Sequence, residues 1–187
     1  MGNAMNYLKR QKGTIKRGIL LLGLALPLPA CSQEQTWEMV DSMIERDFPG
    51  VHHISTDSLA AWFADSSREQ PVILDARQPE EYAVSHLPTA EQIDPDATTF
   101  PELENLDRST PIVAYCSVGY RSSQIARRLE EAGFTNVMNL QGSIFRWANE
   151  GKPVYRGDHQ VEEVHPYDRI WGRLLNENLR EYEAEGE

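Results

Sequence analysis

The strongest candidates for chemistry lie in one segment, residues 115–122, with the sequence YCSVGYRS. It follows an apolar run at residues 111–115, typical of a strand, and precedes an amphipathic helical pattern. A strand that turns through a cysteine into a helix points backbone N–H groups at the sulfur, and the positive end of the helix dipole favours the thiolate. With the fixed charge of Arg121 nearby, this setting predicts that Cys116 is an accessible nucleophile of low pKa.

An alternative interpretation is that Cys116 is a small buried hydrophobe at the end of a strand, where many free cysteines lie. Three features of the segment favour the nucleophile instead. Gly119 permits a tight loop with positive φ, Arg121 supplies charge, and Ser117 and Ser122 are polar.

Three motifs in this chain resemble those of the rhodanese family, which are sulfurtransferases. The first is Cys116-x-x-Gly119-x-Arg121-Ser122. The second is LDARQPEEY at residues 74–82, followed by the HLP of residues 86–88, and the third is LQGSIFRW at residues 140–147. The motifs occur in the family's order, and the resemblance covers about residues 51–155.

The resemblance implies a sulfur relay through Cys116, which would take a sulfane sulfur from a donor and become a persulfide. The N–H groups of the substrate-binding loop would stabilise the thiolate and then the persulfide; this loop comprises Ser117, Val118, Gly119, Tyr120 and Arg121. Arg121 is expected to hold an anionic donor or, if it turns inward, to brace the loop. The donor would be a small sulfur-containing anion such as thiosulfate, and the acceptor a thiol, cyanide or a protein, with no cofactor. Ser117 stands where thiosulfate-specific members often carry a basic residue, which leaves the physiological donor open.

Four further residues are expected to support the loop. Asp75 and Arg77 could be catalytic, but a structural ion pair that braces the loops is the favoured interpretation. His86 is likewise expected to brace a loop rather than to act as a base, and Ser122 flanks the nucleophile.

Two other functions remain possible at this stage. Phosphatases and arsenate reductases of the related cysteine-loop type carry five residues between Cys and Arg, which makes a loop wide enough for a tetrahedral oxyanion. Here four residues separate Cys116 from Arg121, and the narrower loop favours sulfur. A persulfide carrier or redox-sensing module without turnover is the third hypothesis, and the sequence does not separate it from an enzyme.

The N-terminus has the pattern of a secretory signal peptide over residues 1–30. Five Lys and Arg residues precede an apolar run at residues 19–26, which is shorter than the roughly 20 residues that span a bilayer. Cys31 directly after Ala30 resembles the bacterial lipobox, in which the cysteine is lipidated. We therefore expect a lipoprotein of the cell envelope, on the periplasmic side of the outer membrane; the alternative is a soluble periplasmic protein.

Composition narrows the possible partners. The formal net charge is −11, and removal of residues 1–30, which hold five Lys and Arg residues and no Asp or Glu, would take it to −16. So acidic a chain is not expected to bind nucleic acid or to adhere to anionic lipid through a basic patch. The five histidines show no metal-ligand spacing, so no metal site is expected. With Cys31 lipidated, Cys116 would be the only thiol.

Short apolar runs that alternate with helical patterns predict the framework around these residues. Alternation of this kind indicates an α/β fold with a central, mostly parallel sheet flanked by helices on both faces, and residues 51–155 form the predicted rhodanese domain. Residues 31–50 are expected to be a tether or an edge helix. Residues 156–187 are expected to be an acidic extension with a short amphipathic helix that folds back on the domain or docks a partner.

Overall fold

The computed structural model describes residues 30–183, apart from the side chains of residues 30–33 and 35. The predicted signal peptide therefore lies outside the described residues except for Ala30, and so does the side chain of Cys31. Within residues 30–183, no helix is both long enough and apolar enough to cross a membrane.

A five-stranded parallel sheet forms the centre of the molecule, in the order β1-β5-β4-β2-β3. Its strands are β1 (His53–Ile54), β2 (Val72–Asp75), β3 (Glu91–Gln92), β4 (Ile112–Tyr115) and β5 (Val137–Leu140). All four residues of β4 are fully buried because this strand lies in the middle of the sheet. The predicted α/β fold with a mostly parallel sheet is confirmed.

Five α-helices accompany the strands in the described part of the chain. They are α1 (Ala30–Asp47), α2 (Thr56–Ala64), α3 (Pro79–Val84), α4 (Tyr120–Glu131) and α5 (Ser143–Asn149). Helix α4 packs against β4 and β5. Its two ends are marked by glycines with positive φ, Gly119 at 110° and Gly133 at 96°, a conformation that favours residues without a side chain.

Helix α1 lies against the domain rather than leading away from it as a tether. Its apolar residues recur at helical spacing, and those that are buried in the main hydrophobic core are Trp37, Val40 and Ile44, with Phe48 just beyond the helix. Burial of one apolar stripe is what holds a helix of this polarity on a domain. Helix α1 therefore packs on the domain through this stripe.

The region after residue 150 differs from the sequence-based prediction in two ways. An antiparallel hairpin of β6 (Val154–Arg156) and β7 (His159–Val161) crosses the predicted domain boundary at residue 155. The amphipathic α-helix expected within residues 156–187 is wrong for the described residues, which form two single-turn 3₁₀ helices at Trp171–Leu174 and Glu177–Leu179.

The helical segment at Trp171 stays short because of the backbone on both sides of it. Tyr167 has φ 63°, outside the right-handed helical region. The Asp168 carboxylate accepts hydrogen bonds from the N–H groups of Ile170 and Trp171, both at 2.7 Å, as a side chain does at the start of a helix. The helical turn ends at Leu175, whose ψ of 137° is extended, so the apolar residues are buried without a continuous α-helix.

Candidate active site

The candidate nucleophile lies at the carboxyl end of β4, where the chain turns into α4. Asp75 and Tyr115, the last residues of β2 and β4, are paired in the sheet, so Cys116 emerges beside the end of β2. Carboxyl ends of parallel strands are where α/β proteins place their sites. The Cys116 N–H donates to the Ser143 hydroxyl at 3.0 Å, which fixes the start of the loop from behind.

The sulfur of Cys116 receives hydrogen bonds from the loop that follows it. The Gly119 N–H donates to Sγ at 3.2 Å. Ser122 also faces the sulfur with its hydroxyl and its N–H, and its hydroxyl lies 2.6 Å from Asn139 Oδ1. Of the loop amides expected to face the sulfur, Gly119 donates to it, and Ser122 adds an N–H from the first turn of α4.

The pKa of the Cys116 thiol lies below its ordinary value. Burial raises the pKa, but the charge of Arg121 and the hydrogen bonds from Ser122 and Gly119 lower it by more. The thiolate is therefore more stable than that of an ordinary cysteine, although the residue is only 1% exposed. A thiolate, rather than a thiol, is the attacking species in nucleophilic catalysis by cysteine.

Arg121 turns inward and braces the loop, the second of the two roles expected for it. Its Nη1 and Nη2 donate to the Glu81 carboxylate at 2.7 and 2.9 Å, and Nη2 also donates to the Ser117 hydroxyl at 2.9 Å. The Ser117 hydroxyl donates in turn to Glu81 at 2.9 Å. Burial raises the pKa of Glu81, but Arg121 outweighs that effect and leaves the pKa lowered. The pair is therefore ionised, and these hydrogen bonds use three of the five N–H donors of the guanidinium.

Asp75 and Arg77 form an ion pair without any exposure to solvent. Arg77 Nε and Nη2 donate to the Asp75 carboxylate at 2.9 and 2.7 Å, and the Tyr115 hydroxyl donates to the same carboxylate. Tyr115 also accepts the N–H of Leu87 at 3.0 Å. Neither charged residue lines the pocket at Cys116, so the pair supports the two loops that follow β2 and β4.

His86 and Ser122 also lie among supporting contacts. His86 Nδ1 lies 2.9 Å from the carbonyl oxygen of Leu87, its ring stacks on Tyr82 at 4.5 Å, and its backbone pairs with Tyr155. Within the described part of the chain, His86 does not line the pocket at Cys116. Ser122 is buried and ties the start of α4 to Asn139 on β5.

A pocket of about 230 Å³ opens above Cys116. The loop contributes Cys116, Ser117, Val118, Tyr120 and Arg121, and the rest of the chain contributes Met43, Tyr167 and Trp171. Cys116 is only 1% exposed, although it lines this pocket. Three of the other lining residues lie outside the loop, and the loop pattern alone could not reveal them.

Several contributing residues were not singled out as site residues from the sequence. Glu81 lies in the second motif, so the signal was present, but its partner Arg121 is 40 positions away. Asn139 and Ser143 support the loop from β5 and α5: Asn139 Nδ2 donates to the Gly119 carbonyl at 3.2 Å. Tyr167 and Trp171 lie in the segment 156–187, where the sequence predicts an amphipathic helix rather than a site. Met43 has no sequence signal that distinguishes it from a methionine of the core.

No group of three or more His, Cys, Asp or Glu side chains within the described residues is arranged to hold a metal ion.

Comparison with known proteins agrees with this geometry. The family model of the rhodanese-like domain matches residues 59–150. A sulfurtransferase of Allochromatium vinosum is 33% identical over 104 residues, which cover 56% of this chain and 94% of that protein. Two solved structures, each 21% identical, share the fold. Thiosulfate sulfurtransferase of Pseudomonas aeruginosa has a TM-score of 0.53, and the match covers 75% of this chain and 26% of that one. The BH2092 protein of Bacillus halodurans has a TM-score of 0.51, and the match covers 66% of this chain and 85% of that one.

Proposed function

This chain belongs to the rhodanese family, and we propose on that basis that it is a sulfurtransferase that works through a persulfide on Cys116. The observation that carries the proposal is the position of Sγ at the bottom of a pocket, 3.2 Å from the Gly119 N–H and at the N-terminus of the 12-residue helix α4. A sulfur anion is stabilised there before and after transfer.

The first half-reaction loads the enzyme with sulfur. The Cys116 thiolate attacks the outer sulfur of a sulfane donor, a new S–S bond forms to Sγ, and the donor's own bond to that sulfur breaks. The leaving group departs with the electron pair, as sulfite if the donor is thiosulfate. The persulfide anion that remains carries the charge that the thiolate carried, so the same loop amide serves both states.

The second half-reaction returns the enzyme to its starting state. A thiophilic acceptor attacks the outer sulfur of the persulfide, and the Cys116 thiolate leaves with the electron pair. Cyanide would leave as thiocyanate, and a thiolate would leave as a persulfide. The reaction needs neither a metal nor a redox cofactor. In each half-reaction one bond to the transferred sulfur forms as another breaks, so no external oxidant or reductant is required.

The placement of Arg121 favours sulfur transfer over phosphatase or arsenate reductase chemistry. A tetrahedral oxyanion needs several donors converging on one site, whereas the guanidinium of Arg121 is bound to Glu81 and Ser117. The count of four residues between Cys116 and Arg121 points the same way.

A persulfide carrier without turnover is the second candidate, because Cys116 is 1% exposed and a persulfide there would be shielded from small acceptors in solution. Two measurements separate it from an enzyme. Mass spectrometry after incubation with a donor tests whether Cys116 gains one sulfur atom, and steady-state release of thiocyanate with cyanide tests for turnover. We expect both from the wild type and neither from Cys116→Ser. Loading without release would favour the carrier, and the absence of loading would overturn the persulfide proposal.

A further inference from the structure

Three of the eight residues that line the pocket at Cys116 come from parts of the chain outside the rhodanese-like domain. Met43 belongs to α1, and Tyr167 and Trp171 belong to the segment after β7. All three lie outside the matched residues 59–150. They are also the apolar part of the lining, together with Val118 and the ring of Tyr120.

The pocket offers little to a doubly charged anion. Among the described residues that line it, Arg121 is the only Lys, Arg or His, and its guanidinium forms two hydrogen bonds to Glu81. The Cys116 thiolate adds a negative charge of its own. A donor with a compact double charge would therefore lose its hydration without gaining a free cation in return.

Tyr167 strengthens this arrangement because its ring lies against the guanidinium of Arg121. Its ring lies 4.7 Å from the Arg121 guanidinium carbon. Its backbone has φ 63°, which is unfavourable for a bulky residue and persists only where its surroundings enforce it. Here the N–H of Tyr167 donates to His165 Nδ1 at 3.1 Å. The segment thus places an aromatic ring over the site's one cation, at some cost in backbone free energy.

We propose that the sulfur donor of this protein carries an apolar group about the size of an aromatic ring, and that Met43, Tyr167 and Trp171 determine this specificity. The inference rests on the proposed sulfurtransferase function. The volume of about 230 Å³ suits such a group, since a cavity of about 150 Å³ lined by apolar side chains binds benzene. Small ligand sites generally take their affinity from apolar walls and their orientation from a few polar groups.

A matched pair of donors isolates the apolar group from the chemistry. Benzenethiosulfonate and methanethiosulfonate carry the same single charge and the same outer sulfur. With either one, the Cys116 thiolate attacks that sulfur, the S–S bond breaks, and the sulfinate leaves with the electron pair, so that the persulfide anion remains. The quantity to measure is the ratio of kcat/KM for the two donors with cyanide as acceptor, divided by the ratio of their rates with a small thiol in solution.

Two pairs of variants test the walls from two different segments. Met43→Ala and Trp171→Ala remove apolar lining. The control for the first is Met39→Ala, one helical turn earlier on α1, and the control for the second is Ile170→Ala, next to Trp171. The Met39 and Ile170 residues are 71% and 73% exposed, and neither lines the pocket. The wild-type ratio is itself a test, so the proposal remains falsifiable even if one variant fails to fold.

We expect the wild type to prefer the aromatic donor by about tenfold or more. Met43→Ala and Trp171→Ala should each lower that preference by about threefold or more, and the two controls should leave it unchanged. Equal use of both donors by the wild type would overturn the specificity and leave the sulfurtransferase function standing. If neither donor transfers sulfur to Cys116, the proposed function fails, and the specificity fails with it.

Discussion

Glu81 binds Arg121 through both carboxylate oxygens, at 2.7 and 2.9 Å, and thereby holds the only fixed cation described beside Cys116 in a set position. Glu81 is 1% exposed, whereas the Arg121 side chain is 22% exposed. The ion pair therefore ties α3 to the first turn of α4. The charge of Arg121 lowers the pKa of the Glu81 carboxyl and also the pKa of the Cys116 thiol.

Replacement of Arg121 should affect folding and the thiol together. Arg121→Ala leaves the buried Glu81 carboxylate without its partner, which should lower the free energy of unfolding by about 3 kcal/mol. It also removes the charge that most lowers the pKa of Cys116, so that pKa should rise. Denaturant unfolding measures the first effect, and the ultraviolet absorbance of the thiolate against pH measures the second.

The matched control for that prediction is the double variant Arg121→Ala with Glu81→Gln. Removal of the buried charge should recover part of the lost stability while the pKa of Cys116 stays raised, because the cation is still absent. If Arg121→Ala unfolds at the same denaturant midpoint as the wild type, the ion pair does not stabilise the fold.

The lowered pKa of Cys116 makes the stability of the protein depend on pH. Because the pKa is lower in the folded than in the unfolded chain, the thiolate's contribution is fully present above the unfolded value of about 8.5 and is lost as pH falls through the folded value. The difference in unfolding free energy between wild type and Cys116→Ser should therefore increase from about pH 6 to about pH 9. A difference that is flat or that falls with pH would mean that the pKa is not lowered.

Gly119 should tolerate alanine less well than Gly133 does, although both have positive φ. A Cβ at Gly119 would lie 3.2 Å from Ile44 Cδ1 and 3.4 Å from Asn139 Nδ2, whereas nothing lies within 4 Å at Gly133. We expect a loss of stability of about 1–2 kcal/mol for Gly133→Ala, from backbone strain alone, and of about 2–4 kcal/mol for Gly119→Ala.

The two glycine variants should also differ in sulfur transfer. Gly119→Ala displaces the N–H that donates to Sγ, which should lower the transfer rate by about tenfold or more. Gly133→Ala changes the far end of α4 and should keep the wild-type rate. The measurement is single-turnover loading of Cys116, and equal rates for the two variants would show that the Gly119 N–H does not serve the reaction.

The N-terminal sequence leads to a prediction about location. We propose that Cys31 is lipidated and anchors the protein at the cell envelope, since multiple acyl chains give stable membrane attachment where one chain gives only marginal binding. In the native host, Cys31→Ser should move the protein from the membrane to the soluble fraction, and only the wild type should incorporate labelled fatty acid. The anchor would be ruled out by two results together. Cys31→Ser would fractionate with membranes as fully as the wild type, and the wild type would incorporate no labelled fatty acid.

Much of the framework follows from local patterns that the sequence displays. The short apolar runs of β2 and β4 predict buried parallel strands, and the glycine after α4 marks its end. Cys116 stands between such a run and a helical pattern, which places it at an N-terminus whatever surrounds it. These features depend on residues close together in the chain, so periodicity and turn chemistry are enough to predict them.

The sequence by itself therefore determined the parallel α/β framework and the position of Cys116 at the start of a helix. Only the tertiary structure decided that Arg121 turns toward Glu81, that Ser143 supports the loop, and that Tyr167 and Trp171 line the pocket at Cys116. The physical reason is that each of these contacts joins segments far apart in the chain. A charged or aromatic side chain carries no periodic signal of its partner, and the partner is set by which surfaces meet when the sheet and the end segments pack.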